Sequence, residues 1–187
     1  MGRLVYNAIT SLDGYTVDAE GSFAWARPDE EVHTFANELV RPLGTHLLGR
    51  RMYEVMRYWE APPDSGDPDS AITDEFAALW QDADKVVFSR TLEQPTTRRT
   101  TVERTFDPAA VQQLVADSAR DVGIGGATLA TQAVRSGLVD ELQQLVIPVV
   151  VGGGTRWLPD DVRLDLELTE TRRFAAGVVF LRYAVRR

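Results

Sequence analysis

The chain has 187 residues, 44% of them apolar and 26% charged, which is enough apolar material for the core of one globular domain. Its net charge of −8 argues against nucleic-acid binding, which needs clustered Lys and Arg. The absence of cysteine excludes disulfides, thiol catalysis and thiolate metal sites, and two histidines alone cannot build a zinc site. Because neither an apolar run of about 18 residues nor a secretory signal is recognisable, we expect a cytoplasmic protein that does not bind membranes.

The N-terminal part begins with a strand, a loop and a helix. Residues 3–10 are apolar and β-branched, which is typical of a buried strand, and 11–14 carry an Asp-Gly turn signal. Residues 15–26 show neither a helical nor a strand period. They are predicted to form a loop whose length favours a functional role. Pro28 and the acids after it predict a helix start, because acids stabilise the positive end of the helix dipole.

The middle of the chain repeats a strand followed by a helix. The connection at 61–70 is polar and Pro-rich, so we predict a surface loop there, and 93–101 have no useful period. The predicted strands lie at 45–49, 85–89 and 122–126, and the predicted helices begin at 49, 71, 107 and 127.

The C-terminal part is predicted to be all strand. Leu142–Val151 is a long apolar run whose Pro148 indicates an edge, a bulge or a bend. Residues 164–172 and 177–186 alternate apolar and polar side chains, as a terminal antiparallel hairpin does. The sequence therefore predicts a single α/β domain over residues 1–187, with parallel crossovers inside a mixed sheet and an antiparallel C-terminal edge.

Three junctions that follow predicted strands offer donors to an anion. Ile124–Thr128 runs from a strand through two glycines into a helix, Gly49–Arg51 places two arginines at another helix start, and Ser89–Arg90 follows a third strand. Each has a structural alternative: a glycine turn that serves packing, a solvated pair of charges, and strand-end capping. Because ligands of open α/β sheets bind outside the carboxyl ends of strands, the three together indicate a dinucleotide phosphate site.

These segments resemble the dihydrofolate reductase-like family, and specifically the reductase domain of bacterial bifunctional riboflavin-biosynthesis deaminase-reductases. The resemblance implies a three-layer α/β/α fold with a central mixed sheet of about eight strands and a C-terminal antiparallel hairpin. The segments that carry it occur in the family order across the chain and are 11–14, 47–54, 87–90, 124–129 and 138–142.

The resemblance implies that the protein binds NADPH as a hydride donor. It places the adenosine side at residues 49–52, the 2′-phosphate at 89–90, the pyrophosphate at 125–129 and the nicotinamide beside 8–9 and the loop 11–25. It also predicts a cis peptide at Gly125–Gly126. The residues expected to contact the cofactor are Ala8, Ile9, Gly49, Arg50, Arg51, Met52, Ser89, Arg90, Ile124, Gly125, Gly126, Ala127, Thr128 and Leu129.

Fewer residues are candidates for catalysis or for contact with the substrate. The spacing from Trp25 to Glu30 resembles the family's pterin-binding acid, so Glu30 is a candidate catalytic acid, with Asp29 beside it. The alternative is that these acids only stabilise a helix start. Asp13 is a second catalytic candidate or a plain Asp-Gly turn, and Trp25, Asp29 and Tyr53 are expected to contact substrate.

Three functions stay open from the sequence, beside a purely structural or partner-binding role in which the arginines are only surface charge. The first is reduction of a small heterocycle, as in 5-amino-6-(5-phosphoribosylamino)uracil reductases, although no zinc-binding deaminase domain and no residues for a ribose phosphate arm are recognisable. The others are pterin reduction and nucleotide binding without turnover. A homodimer is expected, with Val178, Phe180 and Leu181 of the terminal hairpin pairing or packing across a two-fold axis.

Overall fold

The structure is a computed structural model that describes residues 1–61 and 70–186. The predicted loop at 61–70 therefore lies almost wholly outside the described residues. The strands, in chain order, are β1 Leu4–Ser11, β2 Tyr15–Val17, β3 Leu43–Gly49, β4 Asp84–Phe88, β5 Thr100–Glu103, β6 Asp121–Gly125, β7 Glu141–Ile147, β8 Thr155–Arg156, β9 Leu166–Arg173 and β10 Val179–Val185. The helices are α1 Glu30–Val40, α2 Arg50–Met56, α3 Ser70–Asp82, α4 Pro108–Asp117 and α5 Ala127–Arg135, with 3₁₀ turns at Ala24–Ala26 and Arg57–Glu60.

Eight of the described strands form one mixed sheet in the order β5-β4-β3-β6-β1-β7-β10-β9. Neighbours from β5 to β7 pair in parallel, whereas β10 is antiparallel to both β7 and β9. Helices cover both faces, and β2 and β8 form a separate small ribbon. The predicted three-layer fold with an antiparallel C-terminal hairpin is confirmed.

Helix α1 begins where the acids predicted it. The Asp29 carboxylate accepts a hydrogen bond from the N–H of Val32 at 2.9 Å, which satisfies one of the free amides of the first turn. Phe35 then packs on the sheet, with its ring 4.7 Å from that of Phe180 and 5.2 Å from that of Phe174. The cap and the apolar face together fix α1 over β7 and β10.

The expected pairing surface of the C-terminal hairpin is wrong in part. Val178 and Phe180 are 5% and 0% exposed because they lie in the core beneath α1, so neither can meet a second copy. Leu181 stays partly exposed on the strand. The homodimer itself stays a prediction.

Two further differences from the sequence prediction concern the end of β7 and the short strands β2 and β5. The strand predicted at Leu142–Val151 ends at Ile147, so Pro148 lies beyond it, and β7 is a central strand between β1 and β10. The proline has no N–H to continue the ladder. The short strands β2 and β5 lie in regions where the sequence shows no period, because three or four half-exposed residues are too few to establish one.

Two ionisable side chains, His46 and Lys85, lie side by side on β3 and β4, inside the layer that faces α3. His46 is opposite Lys85 in the register, and the Lys85 Nζ donates to the carbonyl oxygen of Trp80 at 3.0 Å. The Nε2 of His46 has no hydrogen-bond partner within the described ranges. Burial lowers the pKa of His46 to about 4, and the charges of Lys85 and Arg120 act in the same direction.

This burial predicts a loss of stability in mild acid. The unfolded chain protonates His46 below about pH 6.5 while the folded chain keeps it neutral down to about pH 4. The unfolded state therefore binds more protons, and the free energy of unfolding should fall by up to about 3 kcal/mol as pH drops through that window. Urea unfolding of His46→Gln should lack this component. Burial also lowers the pKa of His33, so His33→Gln serves as the comparison and should retain the part of the pH dependence that belongs to His46. Equal pH slopes in wild type and His46→Gln would contradict the account.

Candidate functional site

Two glycine junctions meet at the carboxyl-terminal edge of the sheet. Strands β3 and β6 are neighbours, with Leu48 opposite Gly125, so the chain leaves both strands at the same place. Gly49 then precedes α2 and Gly126 precedes α5, and neither supplies a capping side chain. A Cβ built on Gly126 would lie 3.9 Å from the backbone nitrogen of Gly49 and 3.4 Å from the Cβ of Met52. The two turns are therefore in close contact.

Glycine is required at position 126 by the backbone conformation and favoured at position 125 by the lack of space for a side chain. Gly126 has φ +92° and ψ 117°, a region that L side chains rarely adopt. A Cβ on Gly125 would lie 3.1 Å from Leu48 Cδ2 and 3.3 Å from Met52 Cγ. The predicted cis peptide is wrong: the peptide between these two described residues is trans, because the positive φ of Gly126 already makes the turn into α5.

The start of α5 presents backbone donors at this edge. The carbonyl oxygen of Gly126 accepts from the N–H groups of Leu129 and Ala130, at 3.0 and 2.9 Å. The N–H groups of Ala127 and Thr128 lie before these bonds and have no acceptor within the helix. Because the side chains of Ile124, Ala127 and Leu129 are buried in the core, this segment offers a ligand mainly its backbone.

The two arginines that follow Gly49 differ in their surroundings. The Nε of Arg50 donates to Glu54 Oε1 at 2.8 Å, and its Nη1 donates to Thr91 Oγ1. Arg51 is exposed, and no hydrogen bond or ion pair involves its side chain in the part of the chain that the structure describes. Arg50 thus ties α2 to the turn after β4, whereas the Arg51 guanidinium is available to a ligand.

The turn after β4 shows the same division of roles. The hydroxyl of Ser89 accepts from the N–H groups of Thr91 and Leu92 at 3.3 and 3.0 Å, so it caps the strand end. Arg90 is exposed beside it, without an ion pair to any residue in 1–61 or 70–186. Sequence reasoning missed Arg104, whose Nη1 donates to the carbonyl oxygens of Ser89 and Leu92 at 3.1 and 2.7 Å. Arg104 follows β5, which has no recognisable pattern.

The residues expected beside the nicotinamide lie at the end of β1. Ala8 is buried among the residues that α5 covers, whereas Ile9 packs on the other face near Trp25. The indole Nε1 of Trp25 donates to the carbonyl oxygen of Ser22 at 3.2 Å, which holds the 3₁₀ turn against its own loop. This loop therefore returns to the sheet beside Ile9.

Asp13 connects two loops at the same edge. Its carboxylate oxygens accept from the N–H groups of Val151 and Gly152, at 3.2 and 2.8 Å. The hydrogen bond with Ser11, followed by those two amides, lowers the pKa of the Asp13 carboxyl. These partners favour the turn interpretation of Asp13 over a catalytic one, because a carboxylate held this way resists protonation.

The acids at the start of α1 border a surface cavity of about 450 Å³, which also includes Thr34 and Arg172. Asp29 caps α1, so its carboxylate already has a donor. Glu30 is exposed, and within the described residues its carboxylate makes no hydrogen bond or ion pair. Of the two candidates, Glu30 is therefore the one that is free to act on a ligand. None of the residues lining this cavity belongs to the glycine junctions.

Tyr53, expected to contact substrate, is 1% exposed. Its hydroxyl oxygen accepts from the N–H groups of Thr96 and Thr97 at 2.9 and 3.3 Å. The structure therefore makes Tyr53 a support for the loop before β5 and does not bring it to a ligand surface.

Two further properties follow from the described residues. They contain no group of three His, Asp or Glu side chains that could hold a metal ion. None of the helices that they form is long and apolar enough to cross a membrane.

Comparison with known proteins decides the family. The family model described as RibD C-terminal domain matches residues 3–180. The chain belongs to this family. This RibD C-terminal domain is 29% identical, over 185 residues, to the uncharacterized protein YyaP of Bacillus subtilis (strain 168). The matched region covers 97% of this chain and 94% of that protein.

Solved structures show the fold of this RibD C-terminal domain. A putative riboflavin biosynthesis protein from Shewanella sp. PV-4 superposes with a TM-score of 0.77 at 17% identity, covering 99% of both chains. Dihydrofolate reductase from Enterococcus faecalis, complexed with NADP(H) and RAB-propyl, superposes with a TM-score of 0.68 at 14% identity, covering 100% of this chain and 98% of that one. The dihydrofolate reductase-like fold and the resemblance to RibD-type reductases are confirmed.

The backbone of the glycine junction yields a stability prediction. Gly126→Ala forces an L residue into φ +92°, so the free energy of unfolding should fall by about 1–3 kcal/mol in chemical denaturation. Gly153→Ala is the matched control, since a Cβ there meets nothing within 4 Å and should cost less than about 0.5 kcal/mol. Equal effects of the two substitutions would show that the Gly126 backbone is not constrained as described.

Proposed function

We propose that this RibD C-terminal domain is an NADPH-dependent oxidoreductase that transfers a hydride to a small heterocyclic substrate. The observation that carries the proposal is the meeting of the Gly49 and Gly125–Gly126 junctions, with the uncapped start of α5 beside them. A helix N-terminus approached by bare backbone suits a pyrophosphate, because amide donors and the positive end of the helix dipole face the same anion. The family membership and the NADP(H) complex of the similar fold support the choice of cofactor.

The arginines favour NADPH over NADH. Arg51 lies in the first turn of α2, just after β3, and Arg90 lies in the turn after the neighbouring strand β4. Both have exposed guanidinium groups without ion pairs in the described ranges. A 2′-phosphate would give both a charge-assisted partner. NADH lacks that phosphate, so the same residues would contribute little to its binding.

The chain's own part in the reaction is to bind and orient the reactants and to favour protonation of the substrate. NADPH, when bound, supplies the hydride. Ile9 and the loop that carries Trp25 would border the nicotinamide and exclude water from it. Glu30 would hydrogen-bond the heterocycle and favour protonation of the atom that accepts negative charge, since its carboxylate has no other partner in the described structure.

We propose a substrate like that of 5-amino-6-(5-phosphoribosylamino)uracil reductases, in keeping with the riboflavin-pathway family. A pterin is the second candidate, and the charge of the cavity beside Glu30 favours it. That cavity is lined by four acids and one arginine, Asp29, Glu30, Glu31, Glu38 and Arg172, a balance that disfavours a phosphate arm.

Turnover tests the proposal directly. The purified chain is incubated with NADPH and either 5-amino-6-(5-phosphoribosylamino)uracil or dihydrofolate, and loss of NADPH absorbance is followed. We expect oxidation of NADPH with one of the two. NADPH binding without oxidation by either would leave a nucleotide-binding protein without turnover, and absence of binding would overturn the cofactor assignment as well.

Charge reversal at Arg51 tests the phosphate site. Arg51→Glu should raise the Kd for NADPH at least about tenfold, because it removes a charge-assisted contact and adds repulsion, while changing the Kd for NADH much less. Arg163→Glu is the control for net charge, since Arg163 is exposed and, among the described residues, pairs only with Asp165 at 3.4 Å. Calorimetric titration gives both constants. A parallel loss of NADPH and NADH affinity would contradict a 2′-phosphate contact.

Substitutions of the two acids at the start of α1 should have different effects, one on catalysis and the other on stability. Glu30→Gln should lower kcat by about 100-fold with the substrate that turns over, leaving the Kd for NADPH unchanged. Asp29→Ala should instead lower the free energy of unfolding by about 1 kcal/mol, because it removes the helix cap. Steady-state kinetics and urea unfolding measure the two effects. The reverse pattern would move the catalytic role from Glu30 to Asp29.

A further inference from the structure

The turn from Ser89 to Leu92 is held in place by more than its own backbone. Within the turn, the Ser89 hydroxyl accepts from the N–H groups of Thr91 and Leu92. From outside it, Arg50 of α2 donates to the hydroxyl of Thr91. The N–H of Ser89 also donates to the carbonyl oxygen of Glu103 at 2.9 Å, which extends the pairing of β4 with β5 by one step. Arg90 is thus presented by a turn with fixed ends.

Arg104 closes this turn from the neighbouring strand. It follows β5, whose last residue, Glu103, is opposite Phe88, so the parallel register brings Arg104 to the turn. A single nitrogen, Nη1, donates to the carbonyl oxygens of Ser89 and Leu92, at 3.1 and 2.7 Å. These two carbonyls lie at the first and last residues of the turn. The guanidinium therefore bridges its ends, and Arg90 lies between them.

We infer that Arg104 is a positioning residue for cofactor selectivity: by bridging Ser89 and Leu92 it holds Arg90 in place for the 2′-phosphate of NADPH. The inference rests on the proposed function. A flexible turn would have to lose conformational freedom when the phosphate binds, whereas a closed turn has already lost it on folding. Arg104 is assigned to act through Arg90 because both of the side-chain hydrogen bonds that it makes in the described structure go to backbone carbonyls of the turn that carries Arg90.

A double-mutant cycle tests this dependence. The variants are Arg90→Met, Arg104→Met and the double variant, and the readout is the ratio of the Kd for NADH to the Kd for NADPH, measured by calorimetry. Each single variant should lower the ratio about tenfold, because each weakens a contact with a charged group. The double variant should lower it no further than Arg90→Met alone, because Arg104 has nothing left to position.

Controls separate positioning from net charge and from folding. Arg163→Met removes the same charge from an exposed site and should leave the ratio unchanged. Thermal unfolding verifies that each variant is folded. If Arg104→Met does not fold, Arg104→Lys takes its place in the cycle: it keeps the charge without the planar guanidinium, and its effect should likewise disappear when Arg90 is Met.

Three outcomes would overturn the inference. Additive losses in the double variant would mean that Arg104 meets the phosphate itself. An unchanged ratio in the Arg104 variant would mean that the turn needs no bridge. A wild-type ratio near one would show that the proposed NADPH preference is absent, and the inference would fail with it, whereas the first two outcomes leave that preference intact.

Discussion

The architecture of the candidate site depends on how closely β3 and β6 approach each other at their carboxyl ends. Parallel neighbours end at the same edge, so the junctions that follow them share one small volume. Gly125 and Gly126 have no side chains to fill it, and the positive φ of Gly126 lets the chain turn at once into α5. An alanine at either position would meet Met52. The backbone amides at the start of α5 are left without a capping side chain.

The arginines around this edge divide into supports and free groups. Arg50 and Arg104 hydrogen-bond to the turn after β4, and Arg51 and Arg90 extend from the elements that those two hold. In this way a chain with net charge −8 keeps two exposed guanidinium groups at this edge, neither of which has an ion pair among the described residues. The anion proposed above would then bind with little rearrangement of the turn.

Much of this arrangement is predictable from sequence, because glycines and arginines after apolar runs have strong local signatures. The pattern predicts the junctions at Gly49 and Gly125, and the acids predict the start of α1. Long-range partners were not predictable. Nothing local to Asp13 indicates the amides of Val151 and Gly152, nothing near Tyr53 indicates the loop at Thr96, and Arg104 follows a strand too short to show a period. The roles of residues that depend on such distant partners can be assigned only once the fold is known.

The central claim, that the glycine junctions form the cofactor phosphate site, is tested most directly by NMR. Backbone amide signals of the 15N-labelled chain are followed during titration with NADPH. The account predicts that Gly49, Gly126, Ala127 and Thr128 shift together with one dissociation constant, while Gly137, which follows the opposite end of α5 in open surroundings, stays unchanged. Saturable binding that leaves those four amides unmoved, or no binding at all, would contradict it.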